Sequence, residues 1–283
     1  MTFTLIRGTF HVIGSSPDGD SVRFRARSKR QWEKLAGRAR VRKNSQVQVR
    51  FEGIDALETH FGSSHQPLGL AQAATARTLE LLGIHDVHWK NNHVVKARDG
   101  KQGYLLAGRC DRQGRPVAFA FQGSPSERDG TRVHLDVKRL RESVNYRLAA
   151  EGHAYPIFYD SLYYELRDAI AAAVCKAWED DRGLWTRDCT MDVDASKQDD
   201  LENRYPILPK LFRRISEYRR QNKGRGLAGF KQWLGERHER VLVLSRGQTT
   251  HFDSVVWQEG NRIGLDVWPE DLVFYDWRPK RRR

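Results

Sequence analysis

The chain has 283 residues, of which 39% are apolar, and it carries a formal net charge of +13 at pH 7. A chain of this length and composition forms one large domain or two modest ones, and it is too apolar to remain disordered. No apolar run approaches the roughly 18 residues of a membrane-spanning helix, so no membrane partner is expected, and the excess of Lys and Arg favours nucleic acid.

The cysteines and the N-terminal segment bear on the cellular compartment. Cys110, Cys175 and Cys189 are odd in number and lack the spacing of a metal site. Reduced thiols in a cytoplasm are the simplest interpretation. The N-terminal segment alternates like a strand and lacks the basic, apolar and small-residue pattern of a signal peptide. We therefore expect a cytoplasmic protein.

The first predicted elements are strands over residues 3–14 and 22–27, because apolar and polar residues alternate there. The stretch between them, 14–21, resembles a phosphate-binding loop. Asp20 stands where that loop needs its lysine, and no helix follows, so we reject this match. A Pro-Asp-Gly turn that delivers Asp20 to the end of a strand is the better interpretation.

A basic segment follows the second strand. Residues 23–43 contain ten basic residues and one acid, Glu33. The segment fits a solvated hairpin or short helix, and it also fits an electrostatic arm over a bound nucleic acid. In the second interpretation Trp32 is a stacking or packing residue.

The stretch 46–52 alternates with period two, which puts Arg50 on the polar face of a half-buried strand. Asp55 and Glu58 follow at the end of that strand. Each residue alone also fits a turn cap or a surface ion pair. Together with Asp20, however, the carboxylates can converge on one hard cation, and the arginine fits a phosphate. The combination predicts a phosphodiester-cleaving site, because charge that develops on phosphorus needs cations around it.

The next elements complete a compact unit that ends near residue 189. The pattern predicts helices over 70–82, 142–151 and 162–181 and strands over 85–97, 103–110 and 115–122. Strands with an intervening helix, followed by terminal helices, favour a small Greek-key β-barrel of the OB-fold type.

Residues 1 to about 189 resemble the thermonuclease (staphylococcal-nuclease-like) family in several motifs that keep the family's order. These motifs are DGDSV (18–22), the R-x4-D-x2-E spacing of Arg50, Asp55 and Glu58, QPLGLAQAA (66–74), Val144-Asn145 and GLW (183–185). The resemblance implies an OB-fold barrel with packed helices. It also implies a Ca²⁺-dependent nuclease that hydrolyses DNA or RNA with little sequence preference and leaves 3′-phosphate ends.

The resemblance also implies roles for single residues. Asp20 and Asp55 would bind Ca²⁺ through their carboxylates and Ala56 through its backbone carbonyl, with Mg²⁺ or Mn²⁺ as alternatives. Glu58 would act as general base or position the attacking water, and Arg50 would bind the scissile phosphate.

Three aromatic residues that follow the 142–151 helix are the candidates for stacking on a base of the nucleic acid. They are Tyr155, Phe158 and Tyr159. The family's aromatic pattern aligns only loosely with them.

One departure concerns the family's second arginine, which occurs in a D[RK]YGRxLA segment. Matched to residues 99–107, this segment puts Tyr104 in the place of the arginine. A transition-state arginine accounts for several powers of ten in rate, so we expect a slow enzyme or a substitute from the nearby Arg98, Lys101 or Arg109. Tyr104 itself is a candidate hydrogen-bond donor to phosphate.

The C-terminal third falls outside the resemblance. Residues 190–205 are acidic and polar and predict a linker between a domain over 1–189 and a smaller α+β module over 206–283. We predict module helices over 207–221 and 227–239, strands over 241–244, 249–258 and 262–268, and a hairpin turn at 259–261. We expect the module to pack on the first domain and extend its basic surface. The alternative is a solvated basic face over a tryptophan core, and the terminal Lys-Arg-Arg-Arg is more typical of a tail.

Two rivals to a nuclease stay open. The chain could be a non-catalytic nucleic-acid-binding module on a nuclease scaffold, which Tyr104 favours and the retained acids and Arg50 oppose. Alternatively, residues 190–283 recruit a protein partner that supplies the substrate.

Overall fold

A computed structural model describes residues 2–224 and 226–276. In chain order the strands are β1 (Thr2–His11), β2 (Ser21–Ala26), β3 (Val47–Phe51), β4 (Ile54–Asp55), β5 (His85–Lys90), β6 (His93–Arg98), β7 (Lys101–Cys110), β8 (Pro116–Gln122), β9 (Arg132–His134), β10 (Tyr155–Pro156), β11 (Phe158–Tyr159), β12 (Val193–Asp194), β13 (Arg240–Val243), β14 (Gln248–His251), β15 (Val256–Glu259), β16 (Arg262–Leu265) and β17 (Leu272–Phe274). The helices are α1 (Leu68–Leu81), α2 (Val137–Leu140), α3 (Val144–Ala150), α4 (Tyr164–Glu179), α5 (Gln198–Asn203), α6 (Pro209–Gln221) and α7 (Phe230–Gly235).

Five strands form a closed barrel in the order β1, β2, β3, β8, β7, and β7 then pairs with β1. Four of these pairings are antiparallel. The exception is β3–β8, which is parallel and sets Arg50 opposite Val117. The predicted barrel with packed helices is confirmed, and its parallel pair brings Arg50 next to the start of β8.

The barrel strands form because alternate apolar side chains point into one core. In β3 the three apolar residues are buried and the two polar ones are half-buried, as their alternation predicts. Gly8 lies where β1 pairs with β7 on one side and β2 on the other. A Cβ at Gly8 would lie 2.1 Å from the carbonyl oxygen of Arg25, so the strands can approach this closely only at a glycine.

Helix α3 is tied to the barrel by the fully buried side chain of Asn145. Its amide nitrogen donates to the carbonyl oxygens of Glu52 (2.9 Å) and Ala118 (3.0 Å). Its own oxygen accepts from the backbone N–H of Ala120 at 3.0 Å. These bonds hold β8 beside the end of β3, next to Arg50.

The C-terminal part contains two further sheets, β11-β17-β13-β14 and β12-β16-β15. The segment predicted as an acidic linker contains β12, which pairs with β16, and α5, whose Leu201 is fully buried. Helix α6 follows and buries Leu211, Phe212 and Ile215 completely, as its amphipathic pattern predicts.

Backbone pairing connects the barrel to the C-terminal part. Strand β10 pairs with β4, with Tyr155 opposite Asp55. Two residues later β11 runs parallel to β17, with Phe158 opposite Val273. Buried apolar residues from both parts belong to one cluster. The proposed division at residues 189 and 205 stays a prediction.

Two predicted strands are interrupted in the structure. Residues 85–97 form the hairpin β5–β6 instead of one strand, because Asn91 and Asn92 both adopt positive φ, 48° and 62°. Residues 249–258 divide into β14, a 3-10 helix and β15. The predicted turn at 259–261 is confirmed, since β15 and β16 pair across it.

Trp32 of the basic segment packs in the core. Its ring lies 6.3 Å from that of Phe24, with the planes at 82°, and it is 4% exposed, so it cannot stack on a ligand. The terminal run 280–283 lies outside the described residues. No helix in the described part of the chain is long and apolar enough to cross a membrane.

Candidate functional site

Four carboxylates interact at one end of the barrel, and we call them the acidic cluster: Asp18, Asp20, Asp55 and Glu58. The backbone N–H of Phe51 donates to the carbonyl oxygen of Asp20 at 2.8 Å, which holds Asp20 at the end of β3. Burial raises the pKa of Asp20 well above its ordinary value, and the charges of Asp18 and Asp55 raise it further. The structure thus brings the three predicted acids together and adds Asp18.

Arg50 extends from β3 towards this cluster. Its Nη2 atom lies 3.6 Å from Oδ1 of Asp55, and its guanidinium carbon lies 5.7 Å from the ring centre of Tyr159. Within residues 2–224 and 226–276, that buried Nη2 donates to no hydrogen-bond acceptor. An unsatisfied buried donor costs about 1–3 kcal/mol, so its position points to a ligand that carries acceptor oxygens.

Arg50 opens onto a cleft of about 1060 Å³. Its walls include Arg115, Tyr159, Lys210 and Arg214. Pockets for small ligands usually measure about 300–1,000 Å³, so this cleft is large enough for a segment of an extended polymer.

Arg115 is the second arginine of the cleft, and it follows the turn between β7 and β8. Its Nε atom donates to Oδ2 of Asp111 at 2.7 Å, and its charge opposes the rise in the pKa of Asp18 and Asp20. The stretch DRQGRPVA, residues 111–118, matches the D[RK]YGRxLA pattern except at Gln113 and Val117, and it puts Arg115 in the arginine position. The sequence therefore contained this signal, and the match to residues 99–107 is corrected.

Tyr104 lies in a separate environment. Its ring stacks on Phe121 with the centroids 4.7 Å apart and the planes at 3°. The guanidinium carbon of Arg139 lies 5.2 Å from the centre of the same ring. Tyr104 is 7% exposed and does not line the cleft, so it cannot reach a phosphate bound by Arg50.

The three basic residues proposed as substitutes differ in position. Arg98 is exposed and pairs with Asp86, with 2.5 Å between Nε and Oδ2. Lys101 begins β7 opposite Phe10. Neither residue lines the cleft, and their proposed role in binding substrate stays a prediction. Arg109 does approach Arg50, because both guanidinium groups lie 5.7 Å from the ring of Tyr159.

Only one of the three candidate stacking residues is accessible. Tyr155 and Phe158 are fully buried, and the hydroxyl of Tyr155 donates to Asp188 at 2.6 Å. Both are core residues, so their predicted stacking on a base is corrected. Tyr159 is half-buried and lines the cleft beside Arg50.

Arg213 of α6 is the residue that sequence reasoning missed. Its Nη2 donates to Oδ2 of Asp55 at 2.8 Å, and its Nη1 donates to Oδ1 of Asp55 at 3.2 Å and to Oε1 of Glu58 at 2.6 Å. Burial acts to raise the pKa of Asp55, but the charges of Arg213 and Arg50 and the hydrogen bonds from Arg213 together keep that pKa below its ordinary value. The basic face of α6 was a signal, but nothing in the sequence linked it to acids more than 150 residues away.

The carboxylates in this arrangement do not fit the predicted Ca²⁺. Both oxygens of Asp55 and one oxygen of Glu58 already accept hydrogen bonds from Arg213. Among the described residues, no group of three or more His, Cys, Asp or Glu side chains is arranged to hold a metal ion. The predicted ligation by Asp20, Asp55 and the carbonyl of Ala56 stays a prediction of the resemblance.

Comparison with known proteins adds no identification. Neither the family models nor the curated proteins match this chain. The resemblance to thermonucleases therefore rests on the short motifs alone.

Proposed function

We propose that the chain is an OB-fold phosphodiesterase of the cytoplasm that hydrolyses DNA, RNA or both with low sequence specificity. A five-stranded barrel that closes in the order β1, β2, β3, β8, β7 supports the OB-fold assignment. OB-folds commonly bind single-stranded nucleic acid in a basic groove.

The observation that carries the proposal is the buried Nη2 of Arg50, which has no hydrogen-bond acceptor in the described part of the chain. The side chain of Arg50 lines the cleft together with Arg115 and Tyr159. A phosphodiester supplies two charged oxygens, and a guanidinium fork binds them in a bidentate manner. Tyr159 offers a ring face to the neighbouring base.

In the proposed reaction, the oxygen of a water molecule bonds to phosphorus as a phosphorus–oxygen ester bond breaks, and the leaving sugar oxygen takes up a proton from solvent. Glu58 takes the proton from that water. Burial raises the pKa of Glu58 above its ordinary value against the opposing charge of Arg213, and a higher pKa makes a better base near neutral pH. Arg50 and Arg115 stabilise the charge that develops on the phosphoryl oxygens.

A second candidate function is nucleic-acid binding without cleavage. The observation in its favour is the hydrogen bond of 2.6 Å from Arg213 to Glu58, because a carboxylate held by an arginine is a weaker base. In this alternative the cleft binds the phosphate backbone and releases it unchanged.

The test is cleavage of single- and double-stranded DNA and RNA by the wild type, Glu58→Gln and Arg50→Lys, with Ca²⁺, Mg²⁺ or chelator. We expect Glu58→Gln to lower kcat by about 10²–10⁴-fold and Arg50→Lys by about 10²–10³-fold. Glu142→Gln, an exposed carboxylate outside the cleft, serves as the matched control and should leave the rate unchanged.

Three results would contradict the proposal or parts of it. Salt-dependent binding with no cleavage under any condition favours the second candidate. Undiminished cleavage by both Glu58→Gln and Arg50→Lys would show that these two residues do not form the catalytic site. A wild type that neither binds nor cleaves any of the four substrates eliminates both functions.

A further inference from the structure

Arg213 lies where two carboxylates would otherwise share a cation. One guanidinium bridges Asp55 and Glu58 with three hydrogen bonds of 2.6–3.2 Å. Asp55 has a second cationic neighbour in Arg50, at 3.6 Å. The two carboxylates are therefore balanced by two guanidinium groups, and a divalent ion added between them would meet fixed positive charge.

The helix that carries Arg213 is fixed on several sides. The buried side-chain amide of Gln66 donates to the carbonyl oxygen of Ile207 at 2.8 Å, and the backbone N–H of Leu208 donates to Thr190 at 2.9 Å. On the next turn Lys210 pairs with Glu239 at 2.7 Å. Moving the helix away from the site would break these contacts, so the backbone of Arg213 is held beside Asp55 and Glu58.

We propose that the guanidinium of Arg213 takes the place of a divalent cation at Asp55 and Glu58, so that the cleft works without a metal ion. This inference rests on the proposed function for the ligand of the cleft, a phosphodiester. A guanidinium attracts phosphate oxygens as a divalent ion does, but it cannot be removed by a chelator and leaves no coordination position for water.

The deciding experiment is calorimetric titration of CaCl₂ and MnCl₂ into the wild type, Arg213→Gln and Arg214→Gln. We expect no binding at this site in the wild type. Arg213→Gln leaves Asp55 and Glu58 without their bridging cation, so it should gain one site with a Kd of about 10⁻⁴–10⁻³ M, as in weak Ca²⁺ sites. Removing the acid as well, in Asp55→Asn with Arg213→Gln, should abolish that gain.

Arg214→Gln is the matched control, because Arg214 is the next residue of α6 and has a similar side-chain exposure, 16% against 20% for Arg213. It pairs with Glu239 and Glu217 instead of the acidic cluster, so it should gain no metal site. Near-ultraviolet circular dichroism verifies that each variant is folded.

The inference is overturned by a wild type that binds Ca²⁺ or Mn²⁺ at one site that Asp55→Asn removes. A folded Arg213→Gln that gains no metal site overturns it as well. If Arg213→Gln does not fold, the wild type decides: nucleic-acid binding or cleavage within twofold in chelator supports the inference, and a loss that Ca²⁺ restores overturns it. The metal titration needs no substrate, so its failure is distinct from failure of the proposed function.

Discussion

At the scale of single residues, the arginine-containing pattern can be aligned with this chain in two ways. One alignment puts Arg115 in the arginine position, and the other puts Tyr104 there. Arg115 lines the cleft and carries a charge that acts on Asp18 and Asp20. Tyr104 instead stacks on Phe121, and Arg139 lies beside both rings. The expectation of a slow enzyme rested on the alignment that puts Tyr104 in the arginine position, and Arg115 offers a second candidate for that position.

Substituting each residue in turn distinguishes between the two alignments of the pattern. We expect Arg115→Gln to lower kcat/KM by about 10²–10³-fold, because a charged donor to the phosphoryl oxygens is lost. Tyr104→Phe keeps the ring stack and should leave kcat/KM within about twofold of the wild type. Single-turnover cleavage of a short labelled oligonucleotide measures both. A large loss of kcat/KM in Tyr104→Phe with no loss in Arg115→Gln would favour the alignment that puts Tyr104 in the arginine position.

At the scale of elements, helix α6 is held in place by the carboxylate of Glu239, which lies outside the helix. Glu239 lies just before β13 and pairs with Lys210 at 2.7 Å and with Arg214 at 2.5 Å. Although burial acts in the opposite direction, these two cations lower the pKa of Glu239 to about 2. The same helix presents Arg213 to the acidic cluster, so Glu239 supports the site from the opposite side.

This lowered pKa predicts a pH dependence of stability. A carboxylate whose pKa is lowered in the folded state contributes its full stabilisation at pH values above its ordinary pKa. That contribution is lost as the pH falls from 4.5 towards about 2. Glu239→Gln should therefore lower the free energy of unfolding at pH 7 by about 3 kcal/mol, with a difference from the wild type that disappears near pH 2. Urea unfolding at several pH values measures this, with the exposed neighbour Glu236→Gln as control. An equal loss at pH 7 and pH 2 would show that the charge is not responsible.

Prediction from sequence succeeded where local alternation determines the element. The strands predicted over 3–14 and 22–27 are observed as Thr2–His11 and Ser21–Ala26. Burial alternates with period two in the second strand, whereas the first strand buries residues 3–6 in succession. Prediction failed at 85–97, where two asparagines with positive φ reverse the chain. A propensity rule assigns Asn to turns, but it does not distinguish a turn from a strand interior when the flanking residues are mostly exposed.

Long-range contacts explain the other failures. Tyr155 was assigned to base stacking because of its type, whereas pairing with β4 and packing against Trp185 bury its ring. The sequence pattern places Arg213 on the basic face of α6 without naming a partner, whereas its partners Asp55 and Glu58 lie more than 150 residues earlier in the chain. The acidic cluster itself was predictable, since its motif residues lie within about forty positions of one another.

At the scale of the whole molecule, the positive charge is concentrated outside the acidic cluster. Arg38, Arg40, Arg42 and Lys43 are exposed, and residues 38–43 contain no acid. The backbone N–H of Arg40 donates to the carbonyl oxygen of Gly114 at 2.8 Å. This exposed segment therefore borders the turn that carries Arg115, and it extends the basic surface of the cleft.

The salt dependence of nucleic-acid binding tests this surface. Each phosphate contact contributes about 0.9 to the slope of log K against log salt concentration on duplex DNA. The double variant Arg40→Gln with Arg42→Gln should reduce the slope by about 1–2 and weaken binding to all sequences alike. Arg262→Gln, an exposed arginine that pairs with Asp192, should leave the slope unchanged. Fluorescence anisotropy over a range of KCl concentrations gives the slopes, and identical slopes for all three proteins would exclude this surface.

The bridge from Arg213 to Asp55 also sets an order of events during synthesis. The two residues are 158 positions apart, and a ribosome adds about 5–20 residues per second. Asp55 and Glu58 therefore wait about 8–30 s for their cation. During that interval Asp55 has Arg50 as its cationic neighbour, but Glu58 lacks its hydrogen bond from Arg213 and has to remain hydrated, because burying an unpaired charge is too costly. In a growing chain, the part of the barrel around Glu58 thus stays open to solvent. It closes only when translation has passed α6.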